Sequence, residues 1–135
     1  MKSKIQNILG LLLGIIIGSM INTSIVTISG NLIPLPLGVN PEDVNSLRDN
    51  IHLFESKHYI MPFLAHALGT FSGAFIASKI AVSKKKMYAY IVGLFFLVGG
   101  ISAAYMIGTP ILPTTIDLVL AYLPMAWIAH KFAQG

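Results

Sequence analysis

Residues 5–27 contain no charged side chain and are mostly apolar. As one helix this run of roughly 23 residues rises about 34 Å, enough to cross the hydrocarbon of a bilayer with some tilt. The preceding Met1-Lys2-Ser3-Lys4 gives it the look of a secretory signal. The run is too long for one, and no small-residue cleavage pattern of the A-x-A kind follows it. The expectation is an uncleaved transmembrane helix.

Composition extends that constraint to the whole chain. Of 135 residues 55% are hydrophobic and 10% are charged, with a mean hydropathy of +0.76. Soluble domains average about 25% charged residues. Nine Lys and Arg with five Asp and Glu cannot cover a soluble surface, which argues against an ordinary globular enzyme. A disordered chain would need the opposite balance, low hydrophobicity with high charge. There is room for one membrane domain, residues 1–135, and no second. With no cysteine, disulfides, thiolate metal sites and cysteine nucleophiles are excluded. The net charge of +4 does not point to nucleic acid, because the lysines flank apolar spans.

Three further spans are expected at residues 59–82, 87–108 and 115–132. Pro62 falls in the first turn of the second, where proline costs little. Pro110 and Pro113 argue against helix before Thr114. Thr114 or Thr115 is the expected cap of the fourth span, with Asp117 in its first turn. Pro124, inside that span, should kink it. Lys2 and Lys4 precede the first span, Lys79, Lys84, Lys85 and Lys86 cluster between the second and third, and Lys131 follows the fourth. In the first loop Arg48 and Lys57 are outnumbered by Glu42, Asp43, Asp49 and Glu55. The positive-inside rule then puts both termini in the cytoplasm of a bacterial inner membrane, with the first and third loops outside.

The first loop has its own order. Asn31 to Gly38 is apolar and broken by Pro34 and Pro36, so it should lie at the membrane interface or pack on the bundle. Asn40-Pro41-Glu42-Asp43 reads as a helix start. Val44, Leu47, Ile51 and Phe54 follow at helical spacing among polar residues, which predicts an amphipathic surface helix over 41–57. The expected fold is all-α: a polytopic membrane protein, an antiparallel four-transmembrane-helix bundle with a surface helix in its first extracytoplasmic loop.

Glycines recur at helical spacing: Gly10, Gly14 and Gly18, then Gly69 and Gly73, then Gly93 and Gly100. In lipid, such small-residue faces let helix backbones approach closely. They predict packing within the bundle, or against a second copy or a larger membrane complex. The polar residues inside spans are fewer. His66 lies about 10 Å and Asn22 about 8 Å from the outer ends of their helices. Thr70, Tyr105, Asp117 and Tyr122 fall in the same leaflet, so the six form a candidate cluster drawn from all four spans. Ionisable groups within a membrane mark functional sites by default, because burying them is costly. The competing reading is a satisfied interhelical hydrogen-bond network that only fixes packing.

His52, Glu55 and His58 are weak metal candidates. On a continuous helix His52 and His58 stand about 120° apart, too far for an ordinary pair. Glu55 with His58 is better placed, but the pattern falls well short of H-E-x-x-H. His66 and His130 lie near opposite faces and cannot share one haem. No metal site and no cofactor is expected.

Small multidrug-resistance exporters resemble the chain in length and span number, but their functional carboxylate lies in the first span, and here that span has no acid. Fluoride channels resemble the stretch Gly69-Thr70-Phe71-Ser72-Gly73 only in style. Pro62 to Thr70 together with Ala121 to Trp127 resembles a group of small bacterial four-span membrane proteins, a resemblance that implies the architecture and no activity. The leading expectation for function is a non-enzymatic membrane component that packs with itself or a larger complex. The alternatives are a small transporter or channel with an outward-facing polar cavity around His66, and a metal-binding protein or enzyme using outer-leaflet histidines.

Overall fold

The structure, a computed structural model describing residues 1–135, contains helices and no strand. Its elements are α1 (Lys2–Leu32), α2 (Val44–Asn50), α3 (Ile60–Ile80), α4 (Lys85–Ile107), α5 (Ile111–Leu120) and α6 (Leu123–Gln134), with 3-10 turns at Ile51–Leu53 and Ser56–Tyr59. Four segments are long and apolar enough to cross a membrane: Lys2–Leu32, Ser56–Ile80, Lys85–Ile107 and Ile111–Gln134.

Three boundaries differ from expectation, each for a local reason. The helix α1 does not stop near Thr27 but runs 31 residues, to Leu32. The residues past Thr27 include Ser29, Gly30 and Asn31, types common in loops. Ser24, Thr27 and Ser29 instead donate their hydroxyls back to the carbonyls of Met20, Thr23 and Val26 at 2.8, 2.8 and 2.6 Å. Their polar groups are thereby satisfied inside the helix. At about 46 Å, α1 exceeds the roughly 30 Å of a hydrocarbon core, so it must tilt or project.

The fourth segment begins at Ile111 rather than Thr115, because Pro113 is only the third helical residue, where no intrahelical N–H bond is owed. At its other problem residue the expected kink is a full break. A continuous helix would press the Pro124 ring against the Leu120 carbonyl. Instead α5 ends at Leu120, Tyr122 turns out of helical geometry (φ −117°, ψ −82°), and Pro124 sits in the first turn of α6.

The expected 41–57 surface helix is also interrupted. Asn40 does not cap it: its side-chain oxygen accepts from Glu42 N at 3.0 Å, a local turn. Asp43 is the cap, accepting from Asn45 N at 2.9 Å, and α2 covers only Val44–Asn50. Phe54 is extended, and the chain re-enters a 3-10 turn over Ser56–Tyr59.

The centre of the fold is α3, which packs on α1, α4 and α6. Its core is built from small side chains: Ala65, Ala74, Ala77, Ala89, Ala126 and Ala129 are all fully buried. Helix α1 runs antiparallel to α3, with Gly14 opposite Gly73 and Gly18 opposite Gly69. A Cβ on Gly73 would stand 2.5 Å from the Gly14 carbonyl oxygen, and one on Gly18 would stand 2.6 Å from that of Gly69. Nothing but hydrogen fits between these backbones. At the end of the molecule that carries the lysine turn, Asn7 ties α1 to the turn that follows α3. Its Oδ1 accepts from Val82 N at 2.8 Å and its Nδ2 donates to Ser83 Oγ at 2.9 Å. The faces of α1 and α4 turned away from α3 expose Leu12, Ile16, Leu94, Phe95 and Val98, the pattern of a surface that meets lipid.

Candidate functional site

At the opposite end, the loop end, α3 and the broken fourth segment bring three polar side chains together. His66 sits two turns into α3. Asp117 sits on α5, and Tyr122 in the break. His66 Nδ1 lies 2.8 Å from Asp117 Oδ1. Tyr122 donates its hydroxyl to Asp117 Oδ2 at 3.1 Å. The Tyr122 and His66 rings stack, with centroids 5.7 Å apart and planes at 26°. The break makes this possible. Five residues apart on an unbroken helix, Asp117 and Tyr122 would point about 140° apart round the axis. The turn at Ala121 and Tyr122 brings the tyrosine back onto its own aspartate.

Both oxygens of Asp117 are thus engaged. With the carboxylate ionised, Nδ1 of His66 carries the hydrogen and donates it, which leaves Nε2 with a lone pair. Nε2 has no hydrogen-bond partner in the protein. Tyr122 is 1% exposed, whereas the side chains of His66 and Asp117 are 28% and 18% exposed. The imidazole is therefore held in place from one side and open on the other. Such a group can accept a hydrogen bond or a proton at Nε2.

What it opens onto is a cavity of about 660 Å³. The last turns of α1, the first loop, the start of α3, the end of α4 and α5 enclose it. The walls are mainly apolar, with Val26, Ile33, Leu47, Phe54, Phe63 and Ile107 among them, and His66 and Asp117 lie within the lining. No Lys or Arg lines it, and Asp117 is its one acid. The volume falls in the range of small-molecule pockets.

Of the six residues proposed to converge, His66, Asp117 and Tyr122 do so. Thr70, one turn further along α3, is 1% exposed, and its hydroxyl has no partner. Asn22 packs against Gly69 through its Cβ and makes no side-chain hydrogen bond to the trio. Tyr105 does not belong to the cluster: it is 88% exposed. Ala104 takes the cavity-facing position on α4, and the next residue points about 100° away. Sequence sets how deep a residue lies but not how its helix is rotated.

The glycines settle where their spacing implied. Gly10, Gly14 and Gly18 meet α3, Gly69 and Gly73 meet α1, and Gly93 meets Ala126 of α6. Gly100 lies under the Tyr122 ring. Glu55 and His58 form a reciprocal cap on the second 3-10 turn, with Glu55 N donating to His58 Nδ1 at 2.8 Å. His52 is exposed, and no group of three His, Asp or Glu side chains comes together in a metal-holding arrangement.

Two features escaped the sequence reading. One is the character of the cavity, expected under the transporter alternative as polar but walled mainly by apolar side chains. The other is a second polar pair at the lysine end, Ser78 Oγ and His130 Nδ1, 2.8 Å apart. The signal for it was present: His66, Thr70, Ala74 and Ser78 recur every four residues on α3. No family model matches the chain, and neither does any curated protein or solved structure.

Proposed function

We propose that the protein is a small multi-pass protein of a bacterial inner membrane that takes a ligand into the loop-end cavity from outside, for binding and transport rather than catalysis. Both termini and the lysine turn then face the cytoplasm, as the distribution of basic residues favours. The observation that carries this reading is His66, oriented by Asp117 through Nδ1 and without a partner at Nε2, in the lining of a cavity of about 660 Å³. A structural hydrogen-bond network needs no such space beside it.

Two further points support it. Binding sites in membrane transporters are commonly built where a spanning helix is interrupted, and here Asp117 and Tyr122 flank such an interruption. No serine, threonine or other nucleophile hydrogen-bonds to His66, which favours binding over covalent catalysis. Gly10, Gly14, Gly18, Gly69, Gly73 and Gly93 each lie against another helix of the same chain and Gly100 lies under the Tyr122 ring, which lessens the need for a second copy to cover them.

The test uses the absence of native cysteine. A His66→Cys variant in liposomes, treated from outside with a membrane-impermeant maleimide, should label rapidly. A folded variant that does not label would mean a dry site, and the proposal would fall.

A further inference from the structure

Resting on that reading, we infer that the ligand is an amphiphile whose head donates a hydrogen bond, a hydroxyl or an ammonium on an apolar body, and that anionic heads are refused. The first reason is the polarity of the free nitrogen. Asp117 Oδ1 engages Nδ1 of His66 at 2.8 Å, so the neutral imidazole presents Nε2 as an acceptor. A head that only accepts hydrogen bonds finds no donor at that nitrogen; the unpartnered donor in the lining is the buried Tyr59 hydroxyl, a neutral phenol that brings no positive charge.

The second reason is charge. With Asp117 ionised, the His66–Asp117 pair carries one net negative charge while the imidazole is neutral and none when it is protonated. In neither state is it positive. No Lys or Arg in the lining offsets it. Arg48, the cation of α2, donates from Nε to the Met106 carbonyl at 2.6 Å and is held at the end of α4. A carboxylate or phosphate head would lose its water and meet no compensating cation. A hydroxyl or an ammonium meets a lone pair and a neighbouring carboxylate.

The third reason is the wall. Beyond the pair the cavity is lined mostly by aliphatic and aromatic side chains, and Phe54, His58 and Tyr59 form an aromatic cluster with ring centroids 5.4 and 5.9 Å apart. That surface suits an apolar body and tolerates a cation near ring faces.

The test is protection from labelling. Ala104 lines the cavity on α4 and makes no contact the proposal needs. An Ala104→Cys variant in liposomes is labelled in the presence of 1-decanol, decylammonium or decanoate, each set to the same membrane-bound concentration. Decanol, decylammonium or both should slow labelling at least threefold, and decanoate should not. Whichever of the first two protects identifies the head as hydroxyl or ammonium. Adding His66→Phe should raise the half-protecting concentration about tenfold. If that variant does not fold, the order of the three probes with His66 intact still decides. Decanoate protecting as well as the others, protection independent of His66, or labelling that no probe slows would each overturn the inference while leaving an open cavity. Failure of position 104 to label at all would overturn the cavity reading together with the inference.

Discussion

Adding one methyl group at Gly100 should cost more than its size suggests, and the neighbouring Gly99 provides the control. A Cβ on Gly100 would collide with the Tyr122 hydroxyl and stand 2.6 Å from Cζ and 3.0 Å from Cε2 of the same ring. At Gly99 nothing lies within 4 Å. The ring cannot yield freely, because it is 1% exposed, stacked on His66 and bonded to Asp117. Overpacking of this kind costs about 1–3 kcal/mol. Displacing the ring also breaks a hydrogen bond to a charged group, worth about 1.5–3 kcal/mol. At 3.1 Å that bond is long, so the lower figure applies. Gly100→Ala should therefore destabilise the protein by about 2.5–4.5 kcal/mol, and Gly99→Ala should be neutral or slightly stabilising. Tyr122→Phe alone should cost about 1.5 kcal/mol. In the Gly100→Ala background it should cost nothing or restore some stability, since the bond is already broken and the colliding hydroxyl is removed. Reversible unfolding in mixed micelles for the four species gives the coupling. A double-mutant cycle additive to within about 0.5 kcal/mol, or Gly100→Ala no worse than Gly99→Ala, would refute the idea that this glycine exists to seat the tyrosine.

Three other outcomes are expected. Gly73→Ala should destabilise by about 1–3 kcal/mol in the same assay, because its Cβ meets the Gly14 carbonyl oxygen at 2.5 Å and the two helices must separate. Asn7→Ala should cost about 1–2 kcal/mol and raise hydrogen exchange at the Val82 and Ser83 amides, whereas Asn7→Asp, which keeps the acceptor, should protect them. Tyr105→Ala should leave stability within about 0.5 kcal/mol of the parent and leave labelling at position 104 unchanged; a loss like that of Tyr122→Phe would return Tyr105 to the site.

The spans were legible because long uncharged runs have few other fates, and the glycine contacts because small residues at i, i+4 mark a helix face whatever its partner. His66 and Asp117 were legible as a pair only through depth. Both are ionisable and both were placed in one leaflet. The same argument admitted Tyr105, since depth along an axis carries no information about rotation around it. The end of α1 was set about one turn short because Ser29, Gly30 and Asn31 are of types common in loops, and the return bond of Ser29 to the Val26 carbonyl has no sequence marker of its own. Pro124 correctly announced a disturbance. Whether a proline bends a helix or divides it depends on what the freed residues gain, and here Tyr122 gains Asp117.

The seam between α3 and the broken fourth segment constrains how any ligand could pass further. His66 pairs with Asp117 at one end and Ser78 with His130 at the other. They are twelve residues apart on α3, about 18 Å along its axis. Between them lie Ala74, Ala77, Ala126 and Ala129, all fully buried, and the single hydroxyl of Thr70. No polar route joins the two pairs in this conformation, and the Tyr122 ring lies buried beside His66. Passage along the seam therefore requires α6 to move on α3. The alanines there present a smooth surface, and the break at Ala121 and Tyr122 frees α6 from α5, so such a movement need not unwind a helix. Replacing Ala74 with Leu would wedge the seam. Under a transport reading it should abolish flux while leaving labelling at position 104 intact. Flux that survived a folded Ala74→Leu variant would place the route elsewhere.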